Sequence, residues 1–184
     1  MPPQHAAGQT GNAWPFDAFA TRAGGLLFLW PVLERLGFNN SHAEYPGSWL
    51  APQVLRLALQ RLRLPAEDPA WALLASLPQT PVEQLQTHDA LVRWWWHACR
   101  IHLRRTVRLG LSSLVLRPAW LRWNATHIDV HFRPGSADLR VRSAALDVDP
   151  GWVNALQRVL AYHYDHEGEQ KGEQESEQEG EHGD

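Results

Sequence analysis

His127, Asp129 and His131 in the stretch THIDVHF alternate with Ile128, Val130 and Phe132. Successive side chains of a β-strand point to opposite faces, so the two imidazoles and the carboxylate share one side and the apolar residues the other. Such a face could hold a metal ion, because imidazole nitrogen and carboxylate oxygen are both zinc ligands. It is also how the wet side of any half-buried strand reads. A metal site needs a carboxylate without a competing partner and one or two further ligands, for which His102, His163 and His166 are at hand. A hairpin across RPGSAD, with its Pro-Gly turn, would bring DLRVR beside HIDVHF and set Arg140 and Arg142 on the face of Asp129. Arginine competes for the carboxylate and repels a cation. A solvated, salt-bridged strand face is the preferred reading, with metal binding through His127, Asp129 and His131 as the alternative.

A second pattern is basic. At 100° per residue, Arg93, His97, Arg100, Arg104 and Arg108 fall on one side of a helix while Leu91, Trp95, Ala98, Cys99 and Leu103 gather on another. A stripe of about four turns with no matching acids on it could bind phosphate or an acidic protein surface. Nucleic acid is less expected, since the chain is net −3 and carries no recognised binding motif. Trp94 to Trp96 fan across about 200° of helix, so they read as core packing and not as one stacking platform. The lone Cys99 rules out an intramolecular disulfide and multi-cysteine zinc signatures; it reads as a small buried residue in a reducing, cytoplasmic protein. No nucleophile–base motif and no GxxxxGK[ST] loop is present, so neither enzyme activity, a cofactor nor a small-molecule substrate is expected.

Charge and hydropathy mark out the chain. From Asp165 to Asp184 it has nine acidic residues and one lysine, net −8, which leaves +5 on residues 1–164. Every basic residue of that body is arginine. The tail is too hydrophilic to fold and reads as disordered, and residues 1–20 read as a flexible leader without a signal peptide. The apolar run GGLLFLWPVL is about half of what spans a bilayer, so no membrane insertion is expected. Between leader and tail, residues 21–164 are one domain's worth.

The elements that must position these residues follow from periodicity. TRAGGLLFLWPVLERLGF reads as a helix interrupted by Pro31 and stopped by Gly37, and GSWLAPQVLRLALQRLRLP as a helix buried on most sides. Asp68 and Pro69 open a short helix, while Thr80, Pro81 and Glu83 form a capping box for the long basic one. From Ser112 the period shifts to two, so LVLRP, AWLRW, HIDVHF and DLRVR read as an antiparallel meander. Asp149 and Pro150 then open a last helix whose apolar seam is Trp152, Leu156, Val159 and His163. The expected fold is α+β: a helical N-terminal half packed on a small antiparallel β-meander and closed by a C-terminal amphipathic helix.

Several of these segments, THIDVHF, DLRVRSAALDVDPGWV, the late YHY and the early GGLLFLWPVLERLG, resemble a family of bacterial proteins encoded among the components of extracellular contractile injection systems, the phage-tail-like particles. The opening helix is similar to segments of the tape-measure proteins of those particles. The resemblance covers residues 24–40 loosely and 114–164 more closely. Where the family pattern reads GWVPWLGRVV this chain has GWVNALQRVL, without the proline, the second tryptophan and the later glycine. The resemblance implies a setting, a non-catalytic interaction or assembly component whose partners are proteins of such a particle, and it carries no catalytic residues. The candidate contact residues are Arg93, His97, Arg100, Arg104, Arg108 and Trp152.

Overall fold

The computed structural model describes residues 18–38, 47–78 and 82–164. Most of the expected leader, Thr80 and Pro81 of the expected capping box, and the acidic tail lie outside the described residues.

The sheet has five strands: β1 (Phe19–Thr21), β2 (Ala119–Trp123), β3 (His127–Phe132), β4 (Gly151–Val153) and β5 (Arg158–Tyr164). Their spatial order is β1-β2-β3-β5-β4. All pairs are antiparallel except β3 with β5, which run parallel with His131 beside His163. The fold is therefore mixed α and β as expected, but the sheet is not a pure antiparallel meander. β1 also takes in Phe19 and Ala20, which the sequence reading had assigned to the leader; three residues are too few to show a period.

Helices cover one face of this sheet. A 3-10 turn (Gly24–Phe28) leads into α1 (Leu29–Arg35), where Pro31 sits in the first turn and so costs no intrahelical hydrogen bond. Gly37, at φ 84, ends α1 by donating its N–H to the Glu34 carbonyl. Gly24 and Gly25 have a steric reason to be glycine: a Cβ on Gly24 would stand 2.2 Å from the Ala119 Cβ, and one on Gly25 1.9 Å from the Leu114 carbonyl oxygen. The turn thus lies directly under β2, and Phe28 stacks on Phe132 with ring centroids 5.2 Å apart.

α2 (Gly47–Arg61) and α4 (Val82–His102) pack side by side, with α3 (Pro69–Ala75) between α2 and the sheet edge. Asp68 caps α3 as its position before Pro69 predicts, accepting from the Ala70 N–H at 3.0 Å. The same carboxylate accepts from the Thr21 hydroxyl at 2.5 Å and the Arg22 N–H at 2.9 Å, which fastens β1 to the helix. On the far side, Arg158 enters from β5 and donates to the Ser76 hydroxyl and carbonyl, closing the C-terminus of α3.

Three expectations fail here. The segment LVLRP, read as a strand, is α5 (Leu111–Val115) followed by an extended link. DLRVR, also read as a strand, is α6 (Leu139–Ser143), capped by Asp138, whose carboxylate takes the Arg140 N–H. As strand neighbours Leu139 and Val141 would share a face; on the helix they point apart, and Leu139 is 83% exposed while Val141 is fully buried. The largest correction is at the C-terminal end: where a helix opening at Asp149 and Pro150 was expected, the chain forms the hairpin β4–β5. Asp149 still satisfies a backbone donor, but it is the Tyr162 N–H of β5, at 2.6 Å. β5 alternates in burial, with Leu160 and Tyr162 inward and Val159, Ala161 and His163 on the outer face, but Val159 and Ala161 are apolar too, so its sequence lacks the clean polar alternation that marks a half-buried strand.

Candidate functional site

α4 carries the basic stripe and continues into a π-helical turn (Leu103–Val107) that ends at Arg108. Arg108 takes φ 56, a left-handed conformation that costs a non-glycine residue about 1–2 kcal/mol. That corner brings Gly110, Leu111 and Ser112 back against the helix. The end of α2 does the same from the other side. Leu64 donates to the Leu59 carbonyl and Arg63 to that of Gln60, the paired bonds of a helix C-cap usually completed by glycine, with Arg63 left-handed at φ 54. These two corners leave a cleft of about 390 Å³ between α2, α4 and the start of α5.

Four of the five stripe residues line it: Arg93, His97, Arg100 and Arg104. Arg108 does not, because the π-helical turn rotates it out of register. Arg61 at the end of α2 and Leu62 just after it contribute from the opposite wall, Trp96 and Leu111 supply buried apolar surface, and Ser112 adds a hydroxyl. Helical periodicity finds residues on one helix; it has no means of finding Arg61, which only tertiary packing adds. Arg93 is engaged by Asp89, one turn earlier, which corrects the reading of the stripe as free of acids. Arg61, Arg100 and Arg104 have no carboxylate partner among the described residues. His97 and Ser112 share the cleft without a hydrogen bond between them, so the site is a set of donors and positive charges with no activated nucleophile among the described residues.

Of the three adjacent tryptophans, Trp95 and Trp96 are buried as expected, whereas Trp94 is 57% exposed. Cys99 is fully buried and its thiol is pushed up to about 12 by desolvation, which leaves it inert at neutral pH. Trp152, expected to anchor the last helix, stands on the edge strand β4 and is 57% exposed; it takes no part in the cleft.

The second candidate is the outer face of the sheet. His127, Asp129 and His131 do share it, while Ile128, Val130 and Phe132 are buried beneath. Their neighbours differ from the expected ones. Arg140 and Arg142 have left with α6, where Arg140 pairs with Asp138 and Arg142 lies over the Tyr164 ring and 3.4 Å from Asp147. Arg122 of β2 replaces them, 3.4 Å from one Asp129 oxygen, and His163 of β5 approaches the other at 3.1 Å. His131 stacks on His163, centroids 4.4 Å apart and planes 17° from parallel. Nitrogen lone pairs lie in the ring plane, so stacked rings do not aim them at a common point. His127 turns to the Thr126 hydroxyl at 2.8 Å. Among the described residues no group of three such side chains could hold a metal ion.

Elsewhere, Asp138 bridges Arg140 and Arg117, and their hydrogen bonds hold its carboxyl well below the usual carboxylate range. Burial first, then the Asp149 carboxylate, pushes the Tyr162 phenol up. Asp138 is thus an internal tie, whereas the buried Tyr162 hydroxyl has no hydrogen-bond partner among the described residues. No family model, no curated protein and no solved structure matches this chain. No helix among the described residues is long and apolar enough to cross a membrane.

Proposed function

We propose that the chain is a non-catalytic binding module of the cytoplasm that serves as an interaction or assembly component of a contractile injection particle, with the α4 cleft as its contact surface for an anionic group. The observation that supports the contact surface is the convergence of Arg61, Arg100 and Arg104 on one concavity without a carboxylate partner among the described residues. Fold stability gives no reason to gather like charges there, because they repel one another. The particle setting rests on the sequence resemblance alone. Affinity purification of the tagged full chain from its host tests both parts. Sheath, tube or baseplate proteins should copurify with the wild type and be depleted with the Arg100→Gln, Arg104→Gln double variant. Their absence from the wild-type eluate overturns the particle setting, and equal recovery by the double variant overturns the contact surface.

A further inference from the structure

We propose that the cleft is a site for a compact oligophosphate, a ligand with two or more neighbouring phosphoryl groups, held by Arg61, Arg100 and Arg104. The proposal rests on the reading of the cleft as the contact surface and names the chemistry that surface takes.

Three features select that class. The first is donor geometry. Guanidinium presents a planar fork of N–H donors, and a carboxylate offers two oxygens in one plane, enough for one fork. A terminal phosphoryl group offers three oxygens arranged around the phosphorus, so it can accept from arginines that approach from different walls. Arg61 arrives from α2, whereas Arg100 lies on α4 and Arg104 on the π-helical turn that continues it. The second is charge. Because Asp89 engages Arg93, the three remaining guanidinia set the local excess, and a ligand with several negative charges on adjacent groups matches it. Buried Trp96 and Leu111 form an apolar wall of low dielectric, which strengthens each contact relative to open water.

The third is extent. The lining residues of α4 and the π-helical turn run from Arg93 to Arg104, roughly 16 Å at about 1.5 Å per residue. At about 390 Å³ the cleft lies near the small end of ligand sites, which run from roughly 300 to 1,000 Å³. A nucleic-acid strand needs a groove that follows its backbone over several nucleotides. This cleft is bounded on one side by the corner at Arg63 and on another by the corner at Arg108, and it suits a compact molecule better.

Calorimetric titration of the full chain with sodium pyrophosphate and sodium tripolyphosphate, against sulfate at matched ionic strength, tests the assignment. One equivalent should bind, with pyrophosphate at least about tenfold tighter than sulfate, the size expected from one additional charge-assisted hydrogen bond. Arg100→Gln and Arg104→Gln should each weaken pyrophosphate binding by about tenfold, and Arg133→Gln, beside Trp120 and away from the cleft, should leave it unchanged. Equal affinity for sulfate and pyrophosphate overturns the proposal, since it would show charge without recognition. Polyglutamate and a short single-stranded DNA form the other arms. If either binds, loses affinity with Arg100→Gln, and pyrophosphate does not bind, the oligophosphate assignment falls while the contact-surface reading stands. If none of these anions binds the wild type, both fall.

Discussion

The α4 cleft and the outer sheet face are both rich in charged and titratable side chains, yet they dispose of charge in opposite ways. On the sheet, Asp129 gives one oxygen to Arg122 and the other to His163, so each charge is answered within the fold. In the cleft, Arg61, Arg100 and Arg104 meet with no acid to answer them among the described residues. A list of residue types does not distinguish the two surfaces. What separates them is whether the partner is already present, and an unanswered concave charge is the one available to something else.

This contrast predicts that the two surfaces respond differently to mutation. The reference is the apolar underside of β3: Phe132→Ala should cost about 3–5 kcal/mol in denaturant unfolding, because Phe132 is buried and stacks on both Phe28 and Tyr164. A loss below about 1 kcal/mol would mean that the helices do not dock on the sheet as described. On the outer side of the same strand, Asp129→Ala should cost about 1 kcal/mol, the scale of a partly exposed charge-assisted contact, and should leave pyrophosphate affinity untouched. A change in anion binding there would break the separation of the two surfaces.

Trp152→Ala should cost less than about 1 kcal/mol, since the ring is more than half exposed on an edge strand. A larger loss would mean that the Trp152 ring is packed more closely than its place on the edge strand implies. Arg100→Gln with Arg104→Gln should move stability by no more than about 0.5 kcal/mol, with a gain as acceptable as a loss, because neither guanidinium has a carboxylate partner among the described residues to lose. A clear destabilisation would show that these charges are structural.

The smallest effect is one of pH. Burial first, and the Arg35 charge second, lower the His102 pKa from its ordinary 6.5. The unfolded chain then binds a proton at a pH where the folded chain does not, so stability falls as pH drops below 6.5 and is unaffected above it. The melting temperature of the wild type should decline more between pH 7.5 and 5.5 than that of His102→Gln. Parallel curves would show that His102 does not contribute.

Legibility in the sequence tracked how local the determinant was. The α1 stop at Gly37, the Asp68 cap, the β3 alternation and the buried Cys99 all depend on residues a few positions apart, and all were readable. The β4–β5 hairpin was not. Its turn places Gln157 at φ 55, a conformation that glycine signals. With glutamine there, GWVNALQRVL shows no break and reads as helix. The face of Asp129 was legible, but its partners were not, because Arg122 and His163 arrive by cross-strand register. Arg61 likewise belongs to the cleft through the packing of α2 on α4, which no spacing along one helix encodes.

The order of strands in the sheet also sets the order in which the protein can be completed. β5 is the last strand among the described residues, yet it lies between β3 and β4, and its parallel match to β3 requires the intervening segment to pass over the sheet before returning. At the other edge Phe19 must find Leu121. During synthesis the helical part can collapse early on local contacts, but β3 keeps an open edge until Tyr164 has left the ribosome. Such distant pairings slow folding, and the unpaired flank of β3 is the surface most open to association between chains during that interval.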